Sequence, residues 1–236
     1  MAAGTPATLL LAPAGATNTV GATHCVTATV KDAATNPVPG VTVRFSVPTA
    51  VTTHASPASG SAPTDANGQA GFCFIATLPG TDTIHAYADT DNSNTQDPGE
   101  PFGDASKTWI PPVSTQFCEV TISDGGWIKA DNSDKATFSG DARVLADGTV
   151  QGQQTYKDQG VVDVRSTALT ATTCSSDRVT ASIFGTATID GLGSHIFRID
   201  VTDGKSTAAP DTYGIILDTG YRSGQHRLGG GNVTIH

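Results

Sequence analysis

The sequence is poor in basic residues, and this shortage excludes a class of partner. Among 236 residues there are 13 Lys and Arg against 22 Asp and Glu, which leaves a formal net charge of −9. The basic residues are scattered along the chain, so there is no basic patch of the kind that nucleic-acid binding requires. An acidic surface also disfavours contact with anionic membranes and leaves room for a divalent cation. We therefore expect no nucleic-acid partner.

Long hydrophobic runs are also missing. No stretch approaches the roughly 20 apolar residues of a membrane-spanning helix, so we expect no membrane insertion. The apolar segment between Leu9 and Pro13 is too short for the core of a signal peptide, and no basic segment precedes it. We expect the chain to be a mature protein or an excised fragment.

The sequence also lacks helical periodicity. No segment shows it, together with capping residues, over three turns. Hydrophobic residues make up 37% of the chain and aromatic residues 6%, alongside 26 Gly and 13 Pro. A lean composition of this kind is typical of short strands joined by turns, as in β-sandwiches. We predict an all-β protein with almost no helix.

The strand pattern divides the chain into two halves. About seven short strands precede residue 110 and about nine follow residue 117, judged by alternation and turn residues. Residues 48–62 have no firm pattern and are predicted as a loop with one edge strand at most. We predict two antiparallel β-sandwich domains, an immunoglobulin-like one at residues 1–110 and a larger sandwich or flattened barrel at 117–236. Residues 111–116 form the predicted proline-rich linker, which prolines stiffen.

The chain contains four widely spaced cysteines, and no two of them form a C-x-x-C pair: Cys25, Cys73, Cys118 and Cys174. This spacing argues against zinc and for disulfides. A domain boundary near residue 112 makes Cys25–Cys73 and Cys118–Cys174 the economical choice among three pairings, and four buried free thiols are the alternative. Each bridge closes a loop of about fifty residues, which stabilises by about 4 kcal/mol in a chain-entropy treatment. Disulfides imply an oxidising, extracellular or cell-surface location.

The densest run of oxygen-bearing side chains begins at Asp89. Counted from there, positions 1, 3, 5, 7, 9 and 12 have the ligand spacing of an EF-hand calcium loop. They are occupied by Asp89, Asp91, Ser93, Thr95, Asp97 and Glu100. Position 6, normally glycine, is Asn94, which tolerates the left-handed conformation needed there. We predict a structural calcium site that rigidifies the first domain, and a solvated acidic turn is the alternative.

Motifs that would indicate an enzyme are not found in the sequence. There is no G-x-S-x-G nucleophile elbow and no H-E-x-x-H zinc motif. The only glutamates are Glu100 and Glu119, and glycoside cleavage would need two acids across a cleft, for which an aspartate pair stays open. We expect no catalytic residues and no enzymatic activity.

Two further groups of residues have alternative interpretations. The acidic residues Asp200, Asp203 and Asp211 are expected to cap turns rather than to bind a second cation. Trp109 and Trp127 flank the linker and could stack on sugar rings if both were exposed. We expect them instead to fill core or interdomain positions.

The first half resembles a known family through short motifs that occur in order. These are Val30–Ala33, Asn36-Pro-Val-Pro-Gly40 with the strand to Ser46, Thr64–Ala70, Pro79–Ile84, Asp97-Pro-Gly-Glu-Pro101 and Lys107-Thr-Trp109. Over residues 6–110 they resemble the bacterial immunoglobulin-like domain of the invasin and intimin type. The resemblance implies a sandwich fold and a rod-forming or spacer module in surface-exposed and secreted bacterial proteins. Cysteines in these strands are not a hallmark of the family. The acidic loop is a feature of some members only.

The second half resembles a β-rich domain that follows choice-of-anchor regions in secreted bacterial proteins. The resemblance covers residues 118–236 and rests on Gly125-Gly-Trp-Ile128, Ala136-Thr-Phe138, Val201–Gly204 with Asp211, Tyr221 and Gly230–His236. It implies no activity. We therefore expect a non-catalytic secreted or cell-surface module that acts as a spacer, adhesion or assembly subunit, in contact with other surface proteins or copies of itself. A glycan-binding module is the alternative.

Overall fold

The computed structural model describes residues 4–204 and 210–236, without the side chains of residues 123–125. The chain divides into two compact units, Met1–Ile110 and Pro111–His236. Strands account for nearly all regular structure, and the one helix among the described residues has four residues. The all-β prediction is confirmed. None of the described segments is a helix long and apolar enough to cross a membrane.

From residue 4 onward, where the structure describes it, the first unit has eight strands and the short helix. In chain order they are β1 (Pro6–Ala12), β2 (Gly15–Thr19), β3 (His24–Asp32), β4 (Thr42–Ser46), α1 (Ala50–Thr53), β5 (Ser59–Pro63), β6 (Gln69–Phe74), β7 (Gly80–Asp89) and β8 (Phe102–Ile110). Residues 48–62, predicted as a loop with one edge strand at most, thus contain both α1 and the edge strand β5, which pairs with β4.

Two sheets face each other in this unit, one in the order β1-β3-β6 and the other in the order β2-β8-β7-β4-β5. Inward residues of both sheets, among them Leu11, Val26, Phe45 and Trp109, form a single buried core. The predicted sandwich is confirmed. One pairing departs from the antiparallel prediction, because β2 runs parallel to β8. Pro13 lies between β1 and β2, and its missing N–H cannot continue the β1 ladder, so the chain can change sheets there.

The described residues of the second unit form nine strands. They are β9 (Glu119–Lys129), β10 (Lys135–Val144), β11 (Val150–Asp158), β12 (Val162–Cys174), β13 (Thr180–Ile189), β14 (Leu192–Thr202), β15 (Thr212–Leu217), β16 (His226–Arg227) and β17 (Val233–Ile235). Strands β9 to β15 each pair with the next strand in the chain, in antiparallel fashion. The C-terminal segment then meets both edges of this sheet, since Arg227 pairs with β15 and Val233 with β9.

Among the described residues, one C-terminal segment thus supplies the edge strand at both ends of a single nine-stranded sheet. The interior of the unit is a single apolar core in which Phe138 stacks on Tyr213, with ring centroids 3.8 Å apart. The region predicted as the linker contributes to this unit. The Thr115 amide donates a hydrogen bond of 2.9 Å to the carbonyl of Thr172 on β12.

Each unit contains one disulfide, Cys25–Cys73 in the first and Cys118–Cys174 in the second. Cys25 and Cys73 are direct partners in the β3–β6 register, and both are exposed on the outer face of the sheet. Strand β3 needs neither a bulge nor burial of both faces to accommodate Cys25, because the bridge lies on the solvent side while the alternate residues Val26 and Ala28 are buried.

Candidate metal centre

The acidic loop joins β7 to β8 at one end of the first sandwich. Its first residue, Asp89, ends β7 opposite Thr42 of β4 and is 2% exposed. Its last residue, Glu100, is 7% exposed and precedes β8. The two buried carboxylates are therefore held by the sheet, whereas the residues between them are mostly exposed.

Three of the predicted ligands meet in space. Carboxylate oxygens of Asp89, Asp91 and Glu100 all lie within 4.8 Å of one another. Calcium binds oxygen ligands at about 2.3–2.6 Å, so a single ion can contact oxygens with this spacing. The donors are hard oxygens, which calcium prefers. The residues present thus fit a calcium ion.

The backbone of the loop turns inward around these carboxylates. The amide of Ser93 donates to Asp89 Oδ1 at 3.1 Å and to Asp91 Oδ1 at 3.0 Å. Glu100 accepts bonds from the amides of Thr90, at 2.6 Å, and Asp97, at 3.0 Å. Asn94 has a φ of 68°, in the left-handed region that the EF-hand spacing requires of its sixth residue. The carboxylates thereby organise the loop from within.

The other three predicted ligands form a second group. The Ser93 hydroxyl lies 2.9 Å from Asp97 Oδ2, 3.0 Å from the Thr95 carbonyl oxygen and 3.1 Å from the Thr95 hydroxyl. Asp97 does not belong to the three carboxylates that meet within 4.8 Å. The six residues are therefore brought into one loop but divided into two groups, which Ser93 connects.

Arg44 is a member of the site that sequence reasoning missed. Its Nε donates a hydrogen bond to Asp89 Oδ2, and its side chain is only a quarter exposed. Burial raises the pKa of Asp89, but the bonds from Arg44 and from the Asn94 and Ser93 amides outweigh it and hold the pKa below its ordinary value. The only sequence signal was that Arg44 occupies a polar position of an alternating strand, which does not reveal its partner.

The charges of the acidic loop also affect Tyr87. It opposes Arg44 in the β4–β7 register. Burial, and then the negative charges of Asp89, Glu100 and Asp97, raise the pKa of the Tyr87 hydroxyl, while Arg44 opposes the rise. Negative charges thus cluster at the loop end of the first unit, and the Arg44 guanidinium lies among them.

The second acidic group has structural roles. Asp211 accepts hydrogen bonds from the amides of Gly204, at 2.9 Å, and Val233, at 2.8 Å. Asp203 accepts one from the amide of Ile235 at 3.0 Å, and Asp200 pairs with Arg198. Asp203 and Asp211 thus bind the backbone of β17, which lies far along the chain, rather than capping a local turn as predicted, and Asp200 pairs within β14.

The two tryptophans differ in their exposure to solvent. Trp109 is 1% exposed and donates from Nε1 to Asp82 at 2.8 Å, so it belongs to the core of the first unit and cannot stack on a sugar. Trp127 is partly exposed. A Cβ added to Gly229 would lie 2.2 Å from the Trp127 ring, so the glycine backbone packs closely against it. Lys135 Nζ lies 4.8 Å from the ring centroid.

Part of the first unit is similar to a known domain family. Residues 8–98 match the bacterial Ig-like domain (group 1). This stretch runs from within β1 through β7 to most of the acidic loop, and it agrees with the resemblance read from the motifs. The second resemblance, over residues 118–236, stays a prediction. No curated protein sequence matches the chain.

Two solved structures have some likeness to the whole chain. One is the surface layer protein SbsC, domains 1–6, with 14% identity and a TM-score of 0.31 over 98% of this chain and 25% of that one. The other is invasin, a bacterial integrin-binding protein, with 16% identity and a TM-score of 0.35 over 92% of this chain and 47% of that one. The chain therefore spans a quarter to about half of these structures.

Proposed function

We propose that the protein is a non-catalytic module of a secreted or cell-surface bacterial protein, which spaces, presents or assembles a larger surface structure. The observation that carries the proposal is the bacterial Ig-like match over residues 8–98, on a sandwich in which a disulfide joins two neighbouring strands of one sheet. Disulfides persist in oxidising environments, which agrees with a location outside the cytoplasm. The larger structure would be held together by contacts of this module with other surface proteins or with copies of the chain.

Surface labelling tests this function. Antibodies raised against the purified chain should bind intact cells of the producing bacterium, or detect the protein in the culture fluid. A cytoplasmic protein serves as the lysis control. Labelling that requires lysed cells would contradict the proposal. Fibres or ordered arrays of the purified protein in electron micrographs would favour the assembly role over the spacer role.

We further propose that Asp89, Asp91 and Glu100 hold a structural calcium ion in the acidic loop. An ion there would supply positive charge between carboxylates that otherwise repel one another. It would also tie the end of β7, through Asp89, to the residue that precedes β8. Carboxylate sites in extracellular modules bind calcium with dissociation constants of about 10⁻⁴ to 10⁻³ M.

Isothermal titration calorimetry with calcium tests the site. The wild-type chain should bind one ion, and Asp91→Asn should weaken binding by at least about tenfold because it removes a charged ligand. Asp91 is the informative position because it is exposed, so its substitution leaves the core intact. Asp104→Asn is the matched control, since Asp104 is an exposed aspartate of the same unit outside the loop. Absence of binding heat in the wild type would refute the site.

Thermal unfolding locates the effect of the ion. A ligand that binds only the folded state raises its stability. Calcium should therefore raise the melting temperature of the first unit, which contains the loop, and change that of the second unit little. Equal shifts in both units, or no shift, would contradict a structural role in the first.

A glycan-binding module is the second candidate, and Trp127 is the residue that favours it. Its partly exposed indole lines a surface depression together with Lys129, His226, Arg227 and Gly229. Sugar rings bind through stacking on such aromatic faces, and nearby cations would favour an acidic sugar. Binding on a glycan array that is lost in Trp127→Ala and kept in Arg143→Gln, an exposed position of β10, would support this candidate. Absence of binding by the wild type would refute it.

A further inference from the structure

Lys107 is a fully buried lysine that forms no salt bridge with any described residue. It lies on β8 between Ala105 and Trp109, which also face the core, and its exposure is 0%. Lysine is almost never fully buried unless it is paired with an opposite charge. The Lys107 Nζ instead donates to two uncharged acceptors, Asn18 Oδ1 at 2.8 Å and the Thr108 carbonyl at 3.1 Å.

The contact between Lys107 and Asn18 is imposed by the sheet. Asn18 lies on β2, which runs parallel to β8 with Thr17 opposite Thr108 and Asn18 opposite Trp109. The two residues are 89 positions apart in the sequence. Backbone pairing on both sides of the contact therefore holds the amine against the carboxamide, which makes it a preorganised pair rather than a chance meeting of flexible side chains.

A carboxylate and an aromatic ring complete the surroundings. Asp82 of β7 is the register partner of Lys107 and is itself 0% exposed. Its oxygens accept bonds from the Trp109 indole, at 2.8 Å, and from the Thr53 hydroxyl, at 2.8 Å. The Trp109 ring centroid lies 4.3 Å from the Lys107 Nζ. Solvent is thus excluded from the amine on the side of the core.

The buried position favours the uncharged amine. Burial lowers the pKa of Lys107, and the negative charge of Asp82 opposes this only in part. His24, which is buried nearby, has a pKa lowered by burial and then by the charge of Lys107. A lowered pKa raises the fraction of the uncharged amine, and the free electron pair of that form makes it a nucleophile.

We propose that Lys107 and Asn18 are joined by an intramolecular amide bond between the two side chains. The Lys107 amine attacks the Asn18 side-chain carbonyl carbon, a new carbon–nitrogen bond forms, and the bond from that carbon to the Asn18 amide nitrogen breaks. The amine loses a proton, the departing nitrogen gains one, and ammonia leaves. No oxidant or cofactor is required. We assign the proton transfer to Asp82, the ionisable carboxylate opposite Lys107.

Formation of this bond would remove the buried charge of Lys107. An isolated buried ammonium is strongly unfavourable, whereas an amide is neutral and can donate one hydrogen bond. The bond would also fasten β2 to β8 covalently. Force applied to the two ends of the first unit would then pass through the link, and the strands between β2 and β8 would be shielded from it.

Intact mass spectrometry of the purified full chain tests the bond. The measured mass should fall below the mass of the sequence with two disulfides by that of one ammonia molecule. After reduction and trypsin digestion, the segments that contain Asn18 and Lys107 should appear as one branched peptide, and cleavage after Lys107 should be lost. A full mass together with normal cleavage after Lys107 would overturn the proposal, whatever the behaviour of any variant.

Variants assign the reacting groups. Lys107→Met and Asn18→Ala should each restore the full mass, whereas Lys31→Met, which removes an exposed lysine of the same unit, should keep the loss of ammonia. Asp82→Asn should slow or abolish the loss in protein that circular dichroism shows to be folded. Loss of ammonia that persists in Lys107→Met would overturn the bond, and unchanged loss in folded Asp82→Asn would remove Asp82 from the reaction.

Discussion

The Arg44 guanidinium and the Asp89 carboxylate are hydrogen-bonded at the mouth of the acidic loop. Asp89 is also one of the three carboxylates that meet within 4.8 Å. The same side chain therefore serves a fixed cation of the protein and the proposed calcium ion. Because two positive charges near one carboxylate repel each other, Arg44 should set the affinity of the site.

Replacing Arg44 by glutamine should tighten calcium binding. Removal of one positive charge a few ångströms from a divalent ion is worth about 1–2 kcal/mol at a partly exposed position, or roughly tenfold in the dissociation constant. The same substitution should lower the stability of the first unit without calcium, since Asp89 loses its ion pair. Calorimetry and thermal unfolding measure the two effects. Lys31→Gln, with the same loss of charge at an exposed position, is the control, and equal affinities in both variants would contradict the prediction.

The two disulfides should differ in their reaction with reductant. Cys25 and Cys73 are exposed, whereas Cys118 is 0% exposed. A thiolate must reach a sulfur atom to reduce a disulfide, so mild reductant on the folded protein should open Cys25–Cys73 first. Alkylation followed by peptide mapping identifies the labelled cysteines. Labelling of Cys118 and Cys174 at an equal rate would show that exposure does not control the reaction.

Loss of the outer bridge should weaken the first unit. Cys25 and Cys73 close a loop with a sequence separation of 48, and the double substitution to serine removes that constraint from the unfolded chain. The chain-entropy treatment gives a loss of up to about 4 kcal/mol in the free energy of unfolding. Denaturant unfolding of this variant should therefore show an earlier transition for the first unit and an unchanged one for the second.

Asp32 should make the first unit sensitive to acid. The Asn36 side-chain amide is the largest of several donors that lower the pKa of Asp32, and the Gly4, Ala34 and Asn36 amides add to it. A carboxylate with a lowered folded pKa stabilises the fold above its unfolded pKa of about 3.9 and loses that contribution as the pH falls through the folded value. Asp32→Asn should therefore reduce stability at neutral pH, and the difference from wild type should shrink below about pH 4. A difference that stays constant across this range, measured by denaturant unfolding, would contradict the assignment.

Gly185 should not tolerate a side chain. A Cβ at this position on β13 would lie 2.3 Å from the Ala168 carbonyl oxygen and 2.7 Å from the Phe197 ring. Gly185→Ala should destabilise the second unit by about 1–3 kcal/mol, the usual range for overpacking. Gly71→Ala is the matched control, since a Cβ on that β6 glycine meets nothing within 4 Å and adds strand propensity. Similar unfolding midpoints for the two variants would refute the steric explanation.

Much of the fold could be predicted because the relevant information is local. The alternation of apolar and polar residues at 41–47 predicted β4 within one residue at each end. Lys135–Val144 forms β10, and the turn-forming pair Asp147-Gly148 follows its end. By contrast β2 was missed, because Gly15–Thr19 has no buried apolar residue and is a strand only through its pairing with β8.

The candidate metal site was only partly predictable for a similar reason. The spacing of oxygen-bearing residues from Asp89 to Glu100 is a property of the loop itself, so the sequence was sufficient to single it out. Which of the six side chains meet depends on how the loop turns at Asn92 and Asn94, both of which have positive φ. Arg44 enters through the β4–β7 pairing, which no local pattern contains.

The sequence by itself determined the strand-rich class, the paired cysteines in each half and the place of the acidic loop, because alternation, turn residues and ligand spacing act over a few neighbouring residues. Only the tertiary structure decided that Asp91 lies near Asp89 and Glu100, that Arg44 pairs with Asp89, and that Lys107 lies buried against Asn18. These contacts join residues far apart in the chain. They arise from sheet register and from the exclusion of water in the core, which place particular side chains together only once the strands have paired.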